Sequence, residues 1–110
     1  MEKPNTELLQ GTLDLLILQT LAPGPVHGWG ISQRIRQVSA LVFEVNQGSL
    51  YPALHRLEHR GSIRSLLGTA ENNRRVKLYR LTAAGRKRLA IEKENWGRIA
   101  AAVGRILAAT

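Results

Sequence analysis

Leu8, Leu9, Leu13, the run from Leu15 to Leu18 and Leu21 fall around almost the whole circumference of a helix, which predicts a first helix at the centre of a core. Pro23-Gly24-Pro25 ends it by withholding amide donors. Ile31, Ile35 and Val38 then recur at i, i+4 and i+7, leaving Ser32, Gln33, Arg34, Arg36 and Gln37 for solvent: a short amphipathic second helix. A linker from Ser39 to Asn46 leads to a third stripe, Leu50, Ala53, Leu54 and Leu57. It stops at Gly61, a C′ glycine, so helix 3 runs to about Arg60. Its start is open. Pro52 sits comfortably only in a first turn, which favours Gly48 or Ser49 as the cap, whereas an Asn46 cap implies a kink.

The period then changes from helical to alternating. Ile63 to Leu67 and Val76 to Leu81 read as two short strands joined by a polar loop, Gly68 to Arg75. Thr82 can cap a long last helix in which Leu89, Trp96 and Val103 are spaced by seven, with Ile99 and Ile106 completing an apolar seam. One small domain has no evident surface left to cover that seam, so self-association is expected. Three helices, a hairpin and a closing helix predict a mainly α fold with a small β-hairpin: a winged helix-turn-helix with an appended C-terminal helix. Its helix-turn-helix lies within Gly28 to Gly61. The expected division is a DNA-binding domain over residues 1–82 and a dimerisation helix over residues 83–110.

Charge sharpens this picture. The chain of 110 residues carries a net charge of +8, and all of it lies between Arg56 and Arg88, where Arg56, Arg60, Arg64, Arg74, Arg75, Lys77, Arg80, Arg86, Lys87 and Arg88 face only Glu58 and Glu71. The rest is neutral, so one part of the fold builds a local positive field suited to a polyanion. Cysteine is absent, which removes disulfides, thiolate zinc sites and cysteine nucleophiles and fits a reducing cytoplasm. The longest apolar runs, Leu15 to Leu18 and Ile99 to Val103, fall far short of the roughly 20 residues that span a bilayer. A cytoplasmic protein without a membrane anchor is expected.

Several separate motifs resemble the PadR family of bacterial transcriptional regulators. They are Gly11-Thr12-Leu13-Asp14-Leu15-Leu16-Ile17-Leu18, His27-Gly28-Trp29-Gly30-Ile31, Gly48-Ser49-Leu50-Tyr51-Pro52-Ala53-Leu54-His55-Arg56-Leu57-Glu58, and Glu71-Asn72-Asn73-Arg74-Arg75-Val76-Lys77-Leu78-Tyr79-Arg80-Leu81-Thr82 with Gly85. The short tail is similar to the compact branch of that family. Trp29 stands where a tyrosine is often found, Ser62 where an apolar residue usually follows the glycine, and Val76 with Leu78 make the second strand less aromatic. The resemblance implies a dimeric DNA-binding repressor whose last helix forms most of the dimer interface.

With the third stripe turned to the core, Ser49, Tyr51, Pro52, His55, Arg56 and His59 face outward, the surface a recognition helix presents to a major groove about 12 Å wide. Ser49 and Tyr51 hydroxyls suit phosphates, Arg56 a phosphate or a guanine edge, and Pro52 a thymine methyl; His55 shares their face. The alternative for Tyr51 is a ring half-buried against helix 2. Asn72, Asn73, Arg74, Arg75 and Lys77 lie at or beside the hairpin tip, where a wing meets the backbone or a minor groove. Arg86, Lys87 and Arg88 oppose the dipole of the last helix, a hint of a nearby phosphate. Leu89, Trp96, Ile99, Val103 and Ile106 are the candidate dimer contacts. Across a two-fold axis, paired Trp96 indoles could flank a slot for a flat apolar effector, against the plainer reading of core packing.

Rival chemistry is present but thin. His55-Arg56-Leu57-Glu58-His59 matches the H-x-x-E-H zinc-peptidase pattern, in which histidines four apart share a helix face and the glutamate acts as base. Such an enzyme needs a further carboxylate ligand and a cleft in a chain already accounted for by another fold. A basic module binding an acidic protein is the remaining alternative. Gly28-Trp29-Gly30 lacks the third glycine and the preceding strand of a dinucleotide fingerprint, and reads as close helix packing. Asp14 reads as a polar interruption of helix 1. The expectation is a regulator of double-stranded DNA, a homodimer on a pseudopalindromic operator, with no catalysis, metal or cofactor.

Overall fold

A computed structural model describes residues 10–109. Its elements run α1 (Gln10–Leu21), β1 (Val26–His27), α2 (Gly28–Val38), α3 (Gln47–His59), β2 (Ile63–Thr69), β3 (Arg75–Leu81) and α4 (Ala83–Ala108). Leu8 and Leu9, assigned above to helix 1, lie outside the described residues. Within α1, Leu13, Ile17, Leu18 and Leu21 are buried, and Leu15 and Leu16 pack against the same core. That fits a helix enclosed on most sides. It closes with Ile31 and Ile35 of α2, Leu50, Ala53, Leu54 and Leu57 of α3, Ile63, Tyr79 and Leu81 of the sheet, and Leu89 of α4.

Two α2 positions depart from their periodicity. Val38 is 69% exposed because the helix ends there, at the edge of the core. Ser32, expected on the solvent face, is buried and donates to the Val45 carbonyl at 2.7 Å, tying the linker to α2. That linker turns through Ala40 and Leu41, both in the left-handed region at φ 53° and 68°.

The cap of α3 is Asn46, whose Oδ1 accepts from the Ser49 amide at 2.9 Å, so Gly48 and Ser49 already lie inside the helix. The Asn side chain satisfies a first-turn amide that a glycine at the cap would leave free. Pro52 therefore sits beyond the first turn. At the other end Gly61, at φ 78°, closes the helix: its amide donates to the Glu58 carbonyl and the Ser62 amide to the Leu57 carbonyl, each at 3.0 Å. This is the double bond of a Schellman stop, which only a left-handed residue permits without a Cβ penalty.

Both strands are longer than expected, and the sheet has a third member. β3 pairs antiparallel with β2 from Ile63↔Leu81 to Thr69↔Arg75 and, on its other edge, with β1 through Val26↔Tyr79 and His27↔Leu78. The order β1-β3-β2 joins the α1–α2 turn to the wing. Thr82 caps α4 by accepting from the Gly85 amide at 3.0 Å, while its hydroxyl donates to the Gly61 carbonyl at 2.6 Å. Gly85 lies directly beneath the Ser62 carbonyl, where a Cβ would overlap the oxygen. Beyond Leu89 the helix leaves the core, extending the molecule to 57 Å along its longest axis. Helix-turn-helix, wing and closing helix together form a winged helix fold.

Candidate nucleic-acid interface

The α3 stripe buries one face, which leaves Ser49, Tyr51, Pro52 and His55 exposed on the opposite one. Tyr51 is 44% exposed, yet its ring edge packs on Gly28, where an added Cβ would stand 3.0 Å from the hydroxyl. Both readings of this tyrosine thus meet in one geometry: the ring spaces α3 from α2, and the remainder faces solvent. Gly30 is equally close to Val26, so the Gly28-Trp29-Gly30 stretch serves helix and strand packing.

Arg56 requires a correction. Its guanidinium turns inward to Asp14 of α1, Nη2 to Oδ1 at 3.0 Å, and Arg60 reaches the other carboxylate oxygen at 3.4 Å. Asp14 is therefore an anchor between α1 and the recognition helix, and Arg56 is withdrawn from the outward set. Burial pushes the Asp14 carboxyl above its ordinary value against the pull of Arg56 and Arg60. Arg56 Nε is buried with no hydrogen-bond partner among the described residues. A lone acid in an apolar helix was the available signal; a partner 42 residues away leaves no trace in local period.

Glu58 performs a similar task between α3 and the wing. Its carboxylate accepts from Ser65 Oγ at 2.6 Å and lies 4.0 Å from Lys77 Nζ, whose ammonium stands 5.6 Å from the centre of the Tyr79 ring. The Ser65 hydrogen bond, aided by Lys77, holds Glu58 below the usual carboxylate range. Lys77, expected at the wing tip, is thus half engaged at its base. His55 and His59 share the helix with Glu58, but among the described residues no group of three or more histidines, cysteines and carboxylates is arranged to hold a metal ion.

The tip itself is shaped by its asparagines. The Asn73 amide donates to the Ala70 carbonyl at 2.9 Å, Asn73 takes φ 65°, and Asn72 Oδ1 accepts from the Arg74 amide at 3.2 Å. Asparagine tolerates the left-handed region and bonds its own backbone, so the pair makes the turn that displays Arg74 and Arg75. Both arginines are exposed and form no ion pair among the described residues. At the start of α4, Arg86 donates to the Ala22 carbonyl at 3.4 Å and Arg88 pairs with Glu92 at 3.2 Å, which offsets their opposition to the dipole. His27 caps α2 through Nδ1, which accepts from the Gly30 amide at 3.0 Å, a role that its residue type did not announce.

On α4, Leu89 is a core residue of its own chain, 7% exposed, because the first turns of the helix lie against α1. It is not part of an open seam. Trp96, Ile99, Val103 and Ile106 are each about half exposed or more, joined by Ile91 and Leu107. No helix among the described residues is long and apolar enough to cross a membrane.

Comparison with known proteins agrees with this geometry. The profile of the Transcriptional regulator PadR-like family matches residues 17–91. The transcriptional regulator Rv3488 of Mycobacterium tuberculosis is 36% identical over 83 residues, which cover 76% of this chain and 74% of that one. A 37.1 kDa protein in transposon TN4556 of Streptomyces fradiae is 39% identical over 89 residues, 81% of this chain but only 24% of its own length. Among solved structures, the PadR-like transcriptional regulator of Bacillus cereus superposes with a TM-score of 0.81 at 26% identity, covering 93% of this chain and 97% of that one. The chain belongs to the PadR-like family of transcriptional regulators.

Proposed function

We propose that the protein is a homodimeric repressor that reads a pseudopalindromic operator in double-stranded DNA, with residues 1–82 binding DNA and residues 83–110 pairing the two copies. The observation that carries this reading is the alignment of two surfaces: the exposed face of α3, with Ser49, Tyr51, Pro52 and His55, and a wing tip carrying the unpaired Arg74 and Arg75. The α3 face offers hydroxyl, imidazole and apolar groups for groove edges and phosphates, and the wing supplies sequence-independent phosphate attraction. Asn72 and Asn73 shape the tip and lie against the same backbone; Lys77 adds charge at its base.

Pairing through Trp96, Ile99, Val103 and Ile106 would cover an apolar face that a lone chain leaves in water and would set two recognition helices in successive major grooves, roughly 34 Å apart. A signal that alters their separation would release the operator, and a flat effector between paired Trp96 indoles is one such signal. Protein without a further domain for catalysis, working in the cytoplasm, suffices for this role.

The test is footprinting on the intergenic DNA beside the gene, with Tyr51→Phe as comparison. Two protected patches one helical turn apart are expected. Loss of the hydroxyl should weaken binding by about 0.5–2 kcal/mol while leaving the melting temperature nearly unchanged. A single patch, or equal affinity for unrelated DNA at matched salt, would remove the operator reading and favour a general polyanion binder.

A further inference from the structure

From the cleft enclosed by α1, α2 and the α2–α3 linker, we infer a binding site for a small amphipathic carboxylate, one apolar ring system or short alkyl body carrying a single acid group. Leu16, Pro23, Ile35, Val38 and Phe43 line a cavity of 360 Å³, within the roughly 300–1,000 Å³ that small-molecule sites occupy. A second, more polar cavity of 440 Å³, beside Gly30, Gln33 and Gln37, shares Thr20, Pro23 and Arg34 with the first. Arg34 is the one charged residue lining either cavity. An apolar body in the first and an acid group against Arg34 at their junction match this division.

The surrounding helix ends do not oppose an anion as bare carbonyls would. At the end of α1, the Leu16, Leu21 and Ala22 carbonyls accept from Thr20 Oγ1, the Gly24 amide and Arg86. At the end of α2, the Ile35, Arg36 and Gln37 carbonyls accept from the Ser39, Leu41 and Ala40 amides. Arg34 enters no ion pair among the described residues, so its charge is available at the rim.

The wall of the cleft is also its least relaxed segment. Ser39 and Phe43, joined by a 3.1 Å bond from the Phe43 amide to Ser39 Oγ, bracket Ala40 and Leu41, two consecutive residues other than glycine in the left-handed region. Leu41 and Val42 stand 63% and 58% exposed beside an apolar opening. Strain of this kind, about 1–2 kcal/mol per residue, persists where surroundings hold it and gathers at ligand sites and switches. Two residues after Phe43 come Val45, held by Ser32, and then the Asn46 cap of α3. A ligand pressing on Phe43 therefore acts on the start of the recognition helix; its use as an operator signal rests on the function proposed above, whereas binding itself does not.

The test titrates naphthalene-2-carboxylate and the uncharged naphthalene-2-carboxamide into the full chain, followed by backbone amide NMR without DNA. The acid should bind about tenfold tighter than the amide and shift the Phe43 and Ser49 amides. Arg34→Gln should erase the acid's advantage, and Val38→Trp, filling the cleft from its exposed rim, should abolish binding of both with the spectrum otherwise preserved. Equal binding of acid and amide, or shifts that survive Val38→Trp, would overturn the site; acid binding that leaves the Ser49 amide unmoved would overturn its link to α3. Protein that passes these tests yet ignores DNA would count against the repressor reading alone.

Discussion

Asp14 and Arg56 make a pair whose removal one side at a time should cost far more than its removal whole. Arg56→Met strips the 3.0 Å contact and leaves a carboxylate 11% exposed, with only Arg60, 52% exposed and 3.4 Å away, to neutralise it. A fully buried pair broken this way costs about 3–5 kcal/mol; the surviving Arg60 and the partial exposure of Arg56 reduce this to about 2–3 kcal/mol. Asp14→Leu leaves Arg56 with a buried, unpartnered Nε but a side chain 31% exposed that can turn to solvent, at about 1–2 kcal/mol. The double variant leaves no uncompensated charge and two apolar side chains in contact. Since burial already outweighs both guanidinium groups in raising the Asp14 carboxyl, the ionised pair is not a net source of stability. The double variant should therefore lie within about 1 kcal/mol of the native chain.

Urea denaturation of the four proteins measures the cycle, and losses that add within about 0.5 kcal/mol would refute the coupling. The pH dependence is a second check with a definite sign. A folded carboxyl above its ordinary 3.8 binds its proton more tightly than the unfolded chain does. The contribution of Asp14 is thus fullest below 3.8 and is lost as pH rises through the folded value. Relative to Asp14→Asn, the native chain should lose stability over that rise. Glu58, held low by Ser65, behaves oppositely, its contribution present above 4.5 and lost as pH falls; common to both proteins, it drops out of the difference.

On DNA, Arg74→Ala with Arg75→Ala should flatten the slope of log affinity against log salt by about 1.8, whereas Arg56→Met should leave it unchanged; the reverse would return Arg56 to the interface. Gly85→Ala drives a Cβ into the Ser62 carbonyl and should cost more than about 2 kcal/mol in urea, and a loss under about 0.5 kcal/mol would show that the loop before β2 yields freely. Val103→Glu with Ile106→Glu should convert a dimer of about 24 kDa, twice the 12.2 kDa chain, to monomers or aggregates by light scattering, and an unchanged dimer would place the interface elsewhere. In Trp29→Phe protein, planar aromatic compounds should quench Trp96 saturably and alter operator affinity; quenching without that change would leave a site but not a switch.

The elements legible in the sequence were those whose signal is local. Helical period placed α1, α2 and α3, Gly61 marked a stop, and Thr82 marked a cap, because each of these works through bonds within a few residues. β1 was not legible: two residues, Val26 and His27, carry no period and exist as a strand only because Tyr79 and Leu78 pair with them across the chain. The α3 cap was misread because Pro52 argued for a later start, whereas Asn46 at the linker's end decided it through a side-chain bond. The outward face of α3 was legible as a set, apart from Arg56.

That exception redistributes the charge that first pointed to a polyanion. Of the ten basic residues between Arg56 and Arg88, Arg56 and Arg60 are held by Asp14, Lys77 by Glu58 and Arg88 by Glu92. The recognition helix thus loses its cations to the fold, and the face it keeps, Ser49, Tyr51, Pro52 and His55, offers groups that discriminate by fit and hydrogen bonding. The unpaired Arg74 and Arg75 stand on the wing, where attraction to phosphates carries no sequence information. Affinity and selectivity would then reside on different elements, with Glu58 as the joint between them: one oxygen takes Ser65 of β2, the other faces Lys77 of β3, and its backbone lies in α3. Shifting that joint would change how far the wing reaches at a fixed seating of the helix, so salt dependence and operator choice can vary independently in this fold.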